Sequence, residues 1–224
     1  MSDAWQAAGP QPVPTFSAVV LAAGLSSRMQ GQHKLLLPVD GQPAVRRTVS
    51  ALAASHPEEI VVVTGFKGRA VIEALDGLPV TFQSNPRYEE GQMTSVAAGV
   101  AALRVPCTIV MVCLADQVLL EAADYRELFD AFVAMPHGSI VVPMFNGQRG
   151  NPVAFSASYA AEVISGHVNP GCRKLIAEHP DEVFVHEAAH DRFTVDMDTP
   201  EDYARILARL ERPEQREAAS GNVA

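Results

Sequence analysis

The chain has 224 residues and is 48% hydrophobic, which is the composition of a soluble globular protein with room for a sizeable core. Its 26 acidic and 17 basic residues give a formal charge of −9, which excludes a basic surface for gripping nucleic acid or an anionic membrane. Three cysteines without a CxxC pair indicate neither a disulfide framework nor a zinc site. The composition therefore predicts a cytoplasmic protein whose partner is a small molecule.

The two ends of the chain differ from its middle. Residues 1–15 carry neither a basic region nor an apolar run, so they do not resemble a signal peptide and are expected to form a flexible leader. Residues 213–224 are polar and small, as expected of a flexible tail. Since no linker, repeat or low-complexity tract interrupts residues 16–212, this stretch is predicted to be one domain.

Short apolar runs alternate along the chain with amphipathic stretches, the pattern of βαβ units. The strands are predicted at residues 17–22, 59–64, 80–83, 108–114 and 139–143, with shorter ones at 152–155 and 192–196. The helices are predicted at residues 43–54, 67–75, 93–104, 121–133, 157–164, 171–178 and 200–211. We expect an α/β fold with a mostly parallel, Rossmann-like open sheet and helices on both faces. Ligands of such sheets bind beyond the carboxyl ends of the strands.

The segment after the first strand reads LAAGLSSRMQGQHK over residues 21–34. Its small residues at 22–24 leave backbone N–H groups open to an anionic ligand, and Arg28 and Lys34 add two cations. The segment predicts a phosphate-binding loop, although it matches neither GxGxxG nor GxxxxGK[ST]. Taken alone, it fits equally well a tight connection with two solvated basic residues.

Carboxylates follow two predicted strands. Asp116 ends the apolar run TIVMVCLAD and is the first candidate ligand for Mg²⁺, which neutralises charge on phosphate oxygens. Asp196 and Asp198 lie two positions apart, so both can face the same side of an extended segment. Each has a structural alternative: Asp116 as a helix cap, and the later pair as the approach to a helix capped by Thr199.

These segments together resemble the nucleotidyltransferases that act on molybdenum cofactor, from about residue 18 to residue 207. The motifs on which this resemblance rests are LAAGLSSRM with Lys34, the segment CLADQV, and the ending DMDTPED. LAAG in place of LAGG is similar to the cytidylyltransferases that serve molybdenum hydroxylases. Val118 stands where the family has proline, and Gly31 lies one place later than usual.

The resemblance implies a fold of the nucleotide-diphospho-sugar transferase type and a transfer of CMP from CTP to molybdopterin. It implies Arg28, Lys34 and Asp116 as catalytic residues, and Mg²⁺ on Asp116 with Asp198 or Asp196. The implied nucleotide site comprises Leu21, Ala22, Ala23, Gly24, Leu25, Ser26, Arg28, Lys34, Gly91 and Ser95. The implied acceptor site comprises Arg149, Asn151, Gly171 and Arg173.

Other functions fit the same sequence. A transferase that uses GTP in place of CTP, or a sugar or alcohol phosphate as acceptor, fits the same loop. A non-catalytic accessory protein that inserts the finished cofactor into a molybdenum hydroxylase is an alternative of another class. An oxidoreductase that uses NAD or flavin is disfavoured by the lack of GxGxxG. The implied partners are thus an NTP, molybdenum cofactor, and a hydroxylase or its insertion chaperone.

Overall fold

The computed structural model describes residues 13–165 and 172–211. The expected tail and most of the expected leader lie outside these residues, and so does Gly171 of the expected acceptor site. The two described stretches contain ten strands and seven α-helices.

Six of the ten described strands lie close to predicted positions. The ten strands are β1 (Phe16–Ala22), β2 (Pro38–Val39), β3 (Gln42–Pro43), β4 (Ile60–Thr64), β5 (Thr81–Ser84), β6 (Ile109–Leu114), β7 (Ile140–Phe145), β8 (Gln148–Arg149), β9 (Val153–Ser156) and β10 (Val183–Glu187). The helices are α1 (Ala44–Ala53), α2 (Gly68–Ala74), α3 (Gln92–Ala102), α4 (Ala122–Ala134), α5 (Ala160–Ser165), α6 (Arg173–Glu178) and α7 (Pro200–Leu210).

Seven strands follow one another across the main sheet in the order β10-β7-β9-β6-β1-β4-β5, and β8 pairs with β7. β1 is parallel to both β4 and β6, β4 is parallel to β5, and β7 is parallel to β10. β9 runs antiparallel between β6 and β7, and β2 and β3 form a separate hairpin. The prediction of a single α/β domain with a mostly parallel open sheet is confirmed.

Helices cover both faces of the sheet, as predicted, because side chains alternate along its buried strands. In β1, Ala18 and Val20 belong to one core cluster, which also receives side chains from α1, α2 and α4. Val19 belongs to the opposite cluster, which receives side chains from α3, α5 and α6. At Gly99 in α3, an added Cβ would lie 2.2 Å from Val19 Cγ1, so α3 packs directly on β1.

One predicted strand is wrong, and four of the described strands were missed. Residues 192–196 do not form a strand, because Asp191–Thr194 is a 3₁₀ turn whose carbonyl at Phe193 bonds to two other loops. Three of the missed strands, β2, β3 and β8, have two residues each and are too short to show a periodicity. The fourth is β10, Val183–Glu187. None of its residues is fully buried, since it lies at the edge of the sheet, so it lacks the continuous apolar run that marks the central strands.

Candidate functional site

A cleft of about 530 Å³ lies where β1 and β6 end. The carboxyl ends of these parallel strands meet at one edge of the sheet, and the turn between β8 and β9 reaches the same edge. The cleft brings together twelve of the residues that the sequence predicted for the site: Leu21, Ala23, Gly24, Arg28, Lys34, Ser95, Asp116, Arg149, Asn151, Arg173, Asp196 and Asp198.

Four predicted site residues lie outside the cleft lining. Ala22 is buried in the core cluster under α1, and the side chain of Leu25 is half exposed to solvent. Ser26 stabilises the loop from within, since its Oγ accepts a hydrogen bond from the Lys34 amide at 3.3 Å. Gly91 has φ +118° and precedes α3, so its role is to turn the chain into that helix.

The loop after β1 is held in place at its far end by His33. The His33 ring is 94% buried and stacks on Phe66, with 5.8 Å between ring centroids. Its Nε2 lies 3.2 Å from the Phe66 carbonyl oxygen. Burial lowers the pKa of His33, and the ammonium groups of Lys67 and Lys34 act in the same direction. A neutral imidazole therefore connects the loop to the turn after β4.

A cluster of charges occupies the floor of the cleft. The Lys34 ammonium contacts the carboxylates of both Asp116 and Asp198, at 2.7 Å from Asp198 Oδ1. Arg28 Nη2 lies 2.7 Å from Asp198 Oδ2. Burial opposes the charge on Lys34, but the two carboxylates outweigh it and raise the pKa of Lys34. Both cations of the loop thus face the carboxylates that the sequence proposed as metal ligands.

Asp196 is the third carboxyl group of this cluster, and it differs from the other two in its hydrogen bonding. Its Oδ1 is buried and has no hydrogen-bond partner among the described residues. Burial and the negative charges of Asp116 and Asp198 raise the pKa of Asp196 to about 7, against the opposing effects of Lys34 and Gln117. One Asp196 oxygen is therefore buried at the floor of the cleft without a hydrogen-bond donor from residues 13–165 or 172–211.

The late acids are placed by packing at the end of the chain. Met197 is fully buried between them, in a small core with Val118, Leu119 and Ile206 of α7. Its amide donates to the Asp116 carbonyl at 3.3 Å, which ties the segment to the end of β6. α7 begins with the predicted cap, because the Thr199 hydroxyl accepts from the Asp202 amide at 3.1 Å.

One wall of the cleft contains residues that the sequence did not single out. Tyr88 and Gln92 line it beside Ser95. The Tyr88 ring covers Gly65, where an added Cβ would lie 2.7 Å from Tyr88 Cγ and 2.9 Å from Ala23 Cβ. Both residues lie in NPRYEEGQMTS, which also contains the predicted Gly91 and Ser95, so closeness in sequence to these two residues was the signal that could have found them.

The opposite wall carries cations without ion-pair partners. Arg149 and Arg173 both line the cleft, and neither forms a salt bridge with another residue of the described stretches. A second hollow of about 270 Å³ adjoins these two arginines and is lined by Ile176, Ala177, Pro180 and Val183. This wall can take an anionic group with an apolar body beside it.

A further group of acids and a histidine lies at α4. The ligand-type atoms of Asp124, Glu127 and His190 lie within 4.8 Å of one another. Arg192 Nη2 already lies 2.6 Å from Asp124 Oδ1 and 2.8 Å from His190 Nε2. Because a guanidinium occupies the centre of this group, its chemistry is that of an ion-pair network that fastens the turn at Phe193 to α4.

The described helices are each too short or too polar to cross a bilayer.

The fold and the site together define an α/β nucleotidyltransferase domain. Residues 18–183 match the model of the MobA-like NTP transferase domain, and the chain belongs to this family.

Three comparisons place the chain within the family. It is 28% identical to molybdenum cofactor cytidylyltransferase of Escherichia coli over 87% of this chain and 96% of that protein. It is 26% identical to nicotine blue oxidoreductase of Paenarthrobacter nicotinovorans over 89% of this chain and the whole of that protein. A solved nucleotidyl transferase from Methanothermobacter superposes with a TM-score of 0.77 at 25% identity, covering 88% of this chain and 98% of that one.

Proposed function

We propose that the protein transfers CMP from CTP to the terminal phosphate of molybdopterin and releases pyrophosphate. The observation that carries this proposal is the bridge that Lys34 makes between Asp116 and Asp198, directly beside a loop of small residues. Cations and metal-binding carboxylates within one cleft are what nucleotidyl transfer requires, because the reaction develops charge on phosphate oxygens. The similarity to a cytidylyltransferase and the LAAG sequence support CTP as the donor.

The three carboxylates fit a hard divalent cation. Mg²⁺ prefers carboxylate oxygens, and one oxygen of Asp196 is buried without a partner in the described stretches. Asp116 with Asp198, or with Asp196, would hold the ion. When bound, it would supply positive charge to the phosphate groups of the nucleotide.

The chain's own residues orient the two substrates. Backbone amides around Gly24 can bind phosphate oxygens, since an added Cβ there meets nothing within 4 Å and the backbone is open. Lys34 and Arg28 neutralise the triphosphate on that side. Arg149, Asn151 and Arg173 line the cleft on the side proposed for the acceptor, where the two guanidinium groups suit a phosphate monoester. In-line positioning of donor and acceptor then needs no covalent enzyme intermediate.

Release of pyrophosphate tests the proposal. The purified chain is supplied with Mg²⁺, molybdenum cofactor and each of the four NTPs in turn. We expect release with CTP and cofactor together, and background release when either is omitted. Release with GTP alone among the NTPs would move the assignment to a guanylyltransferase. Release only with a sugar phosphate or alcohol phosphate in place of the cofactor would replace the acceptor.

A second function is favoured by one comparison, the match to an oxidoreductase over the whole of that relative. Oxidation of NADPH or NADH by the purified chain, with nicotine blue supplied as the electron acceptor and the reaction followed by absorbance, tests it. Pyrophosphate release without such oxidation excludes the redox function. Tight binding of the finished cofactor without either reaction would instead support an accessory protein that passes the cofactor to a molybdenum hydroxylase.

A further inference from the structure

The carbonyl oxygen of Phe193 contacts two other segments of the site. It accepts a hydrogen bond from Gln117 Nε2 at 2.8 Å and another from the Asn151 amide at 2.9 Å. A Cβ on Gly150 would lie 2.5 Å from the same oxygen, so the acceptor loop packs against it backbone to backbone. The Phe193 carbonyl therefore fixes the late acidic segment relative to the loop after β6 and the loop before β9.

Phe193 is itself held firmly. Its side chain is fully buried, and its ring stacks on His190 with 5.5 Å between centroids. His186 meets the same ring edge-on at 6.4 Å. The neighbouring Arg192 is bound to Asp124 of α4 at 2.6 Å. Since the turn is fixed to α4, the hydrogen bonds that the Phe193 carbonyl accepts can position Gln117 and Asn151.

Gln117 is an unusual residue for stability alone. Its side chain is fully buried, and its Oε1 has no hydrogen-bond partner among the described residues. An unsatisfied buried amide oxygen opposes folding, so an apolar side chain of similar volume would suit the core better. The Nε2 bond joins positions 76 apart in the sequence, and the side chain also acts on the Asp196 carboxyl, so an apolar residue would lose both interactions.

We propose that Gln117 is a positioning residue that sets the distance between Asp116 and the late carboxylates. Asp116 directly precedes Gln117, while Asp196 and Asp198 follow Phe193 by three and five residues. The Gln117 bond to Phe193 joins the end of β6 to the late acidic segment. The bond from the Met197 amide to the Asp116 carbonyl, at 3.3 Å, joins the same two segments a second time. The consequence for metal affinity rests on the proposed function.

Gln117→Met tests this role, because it removes the donor and keeps the volume. Thr48→Val is the matched control, since Thr48 is also fully buried and its hydroxyl donates to the Ala44 carbonyl at 3.3 Å, away from the cleft. We expect Gln117→Met to speed amide exchange over residues 195–199 by about ten-fold and to leave residues 22–34 unchanged. Thr48→Val leaves both regions as in the unmodified chain.

The same variants separate positioning from general destabilisation. With CTP present, Gln117→Met is expected to weaken Mn²⁺ binding by about 10- to 100-fold, measured by electron paramagnetic resonance. The kcat falls with it, while the KM for CTP stays within about two-fold, because the phosphate-binding loop is untouched. Thr48→Val changes neither quantity. Equal exchange and equal Mn²⁺ affinity in the two variants would overturn the proposal.

A second variant keeps the test decisive if Gln117→Met does not fold. Gln117→Asn keeps the amide but places it one methylene short of the Phe193 carbonyl, and it is expected to show the same local exchange. Exchange as in the unmodified chain in a folded Gln117→Asn protein overturns the proposal. If the unmodified chain binds neither Mn²⁺ nor CTP, the proposed function fails, whereas exchange over residues 195–199 still decides the role of Gln117.

Discussion

The Lys34 ammonium lies 2.7 Å from the Asp198 carboxylate, although 164 positions separate the two residues in the sequence. The same ammonium contacts Asp116, so one buried cation joins the first predicted metal ligand to a late one. A triphosphate and a divalent cation that bind here would replace the contacts between the ammonium and the two carboxylates. The phosphates would take the ammonium, and the metal would take the carboxylates.

Replacement of Lys34 by methionine is expected to lower the rate of nucleotidyl transfer by about 10²–10³-fold, because it removes the half-buried cation that is proposed to neutralise charge on the transferred phosphate. Circular dichroism should show an intact fold. Lys67→Met is the matched control, since Lys67 is exposed and lies outside the cleft lining. Full activity in Lys34→Met would contradict the proposed arrangement.

Replacement of Asp116 by asparagine is expected to abolish turnover and to weaken Mn²⁺ binding by more than about 100-fold, since even outer-shell partners of metal ligands are worth 10–100-fold. Asp40→Asn is the control, because the Asp40 side chain is 67% exposed and forms its ion pair with Arg47, away from the cleft lining. Equal Mn²⁺ affinity in the two variants would remove Asp116 from the metal site.

Replacement of Arg173 by methionine is expected to raise the KM for the phosphorylated acceptor by about ten-fold, the loss expected for one charge-assisted hydrogen bond. The KM for CTP should stay unchanged, because the nucleotide is proposed to bind the opposite wall. Arg69→Met serves as the control, with Arg69 94% exposed and paired to Glu73. An increase confined to the KM for CTP would reverse the assignment of the two walls.

Two glycines are expected to respond in opposite ways to alanine. Gly99→Ala should lower the free energy of unfolding by about 1–3 kcal/mol, since the added Cβ meets Val19 and Val63 side chains at 2.2 and 2.7 Å. Gly24→Ala has open space around the added Cβ and should leave stability unchanged. It should weaken nucleotide binding instead, because the methyl group narrows the approach to the loop amides. Urea unfolding and CTP titration measure the two effects.

Asp124 should make stability depend on pH. Burial opposes its ionisation, but hydrogen bonds from His190 and Arg192 outweigh burial and lower the pKa of Asp124 in the folded state. A carboxyl whose pKa falls on folding stabilises the protein above its unfolded pKa of about 4 and loses that contribution as pH falls through the folded pKa. The stabilisation is therefore complete at pH 7.

Asp124→Asn is accordingly expected to lower the free energy of unfolding at pH 7 by about 3 kcal/mol, as for other broken buried pairs. The difference from the unmodified chain should shrink below pH 4. Asp130→Asn on the same helix is the control, because Asp130 is 68% exposed and its contact with Arg126 is 4.0 Å long. A difference that stays constant between pH 7 and pH 3 would contradict the pKa shift.

The sequence by itself determined the architecture and the loop chemistry. Apolar runs at β1, β4 and β6 mark buried parallel strands, and the small residues and cations after β1 follow directly from their order in the chain. Thr199, Pro200 and Asp202 predict the start of α7 because a helix cap depends on neighbouring residues alone. Local rules sufficed for these features because their causes lie within a few residues.

The tertiary structure decided how distant segments meet. The Gln117 bond to Phe193, the burial of Met197 against Val118, and the cover that Tyr88 gives Gly65 all join residues that no periodicity relates. The turn at Phe193 was predicted as a strand for the same reason, since its conformation is set by bonds to two other loops. Long-range contacts of this kind arise only when packing closes the chain on itself, so spacing along the sequence cannot disclose them.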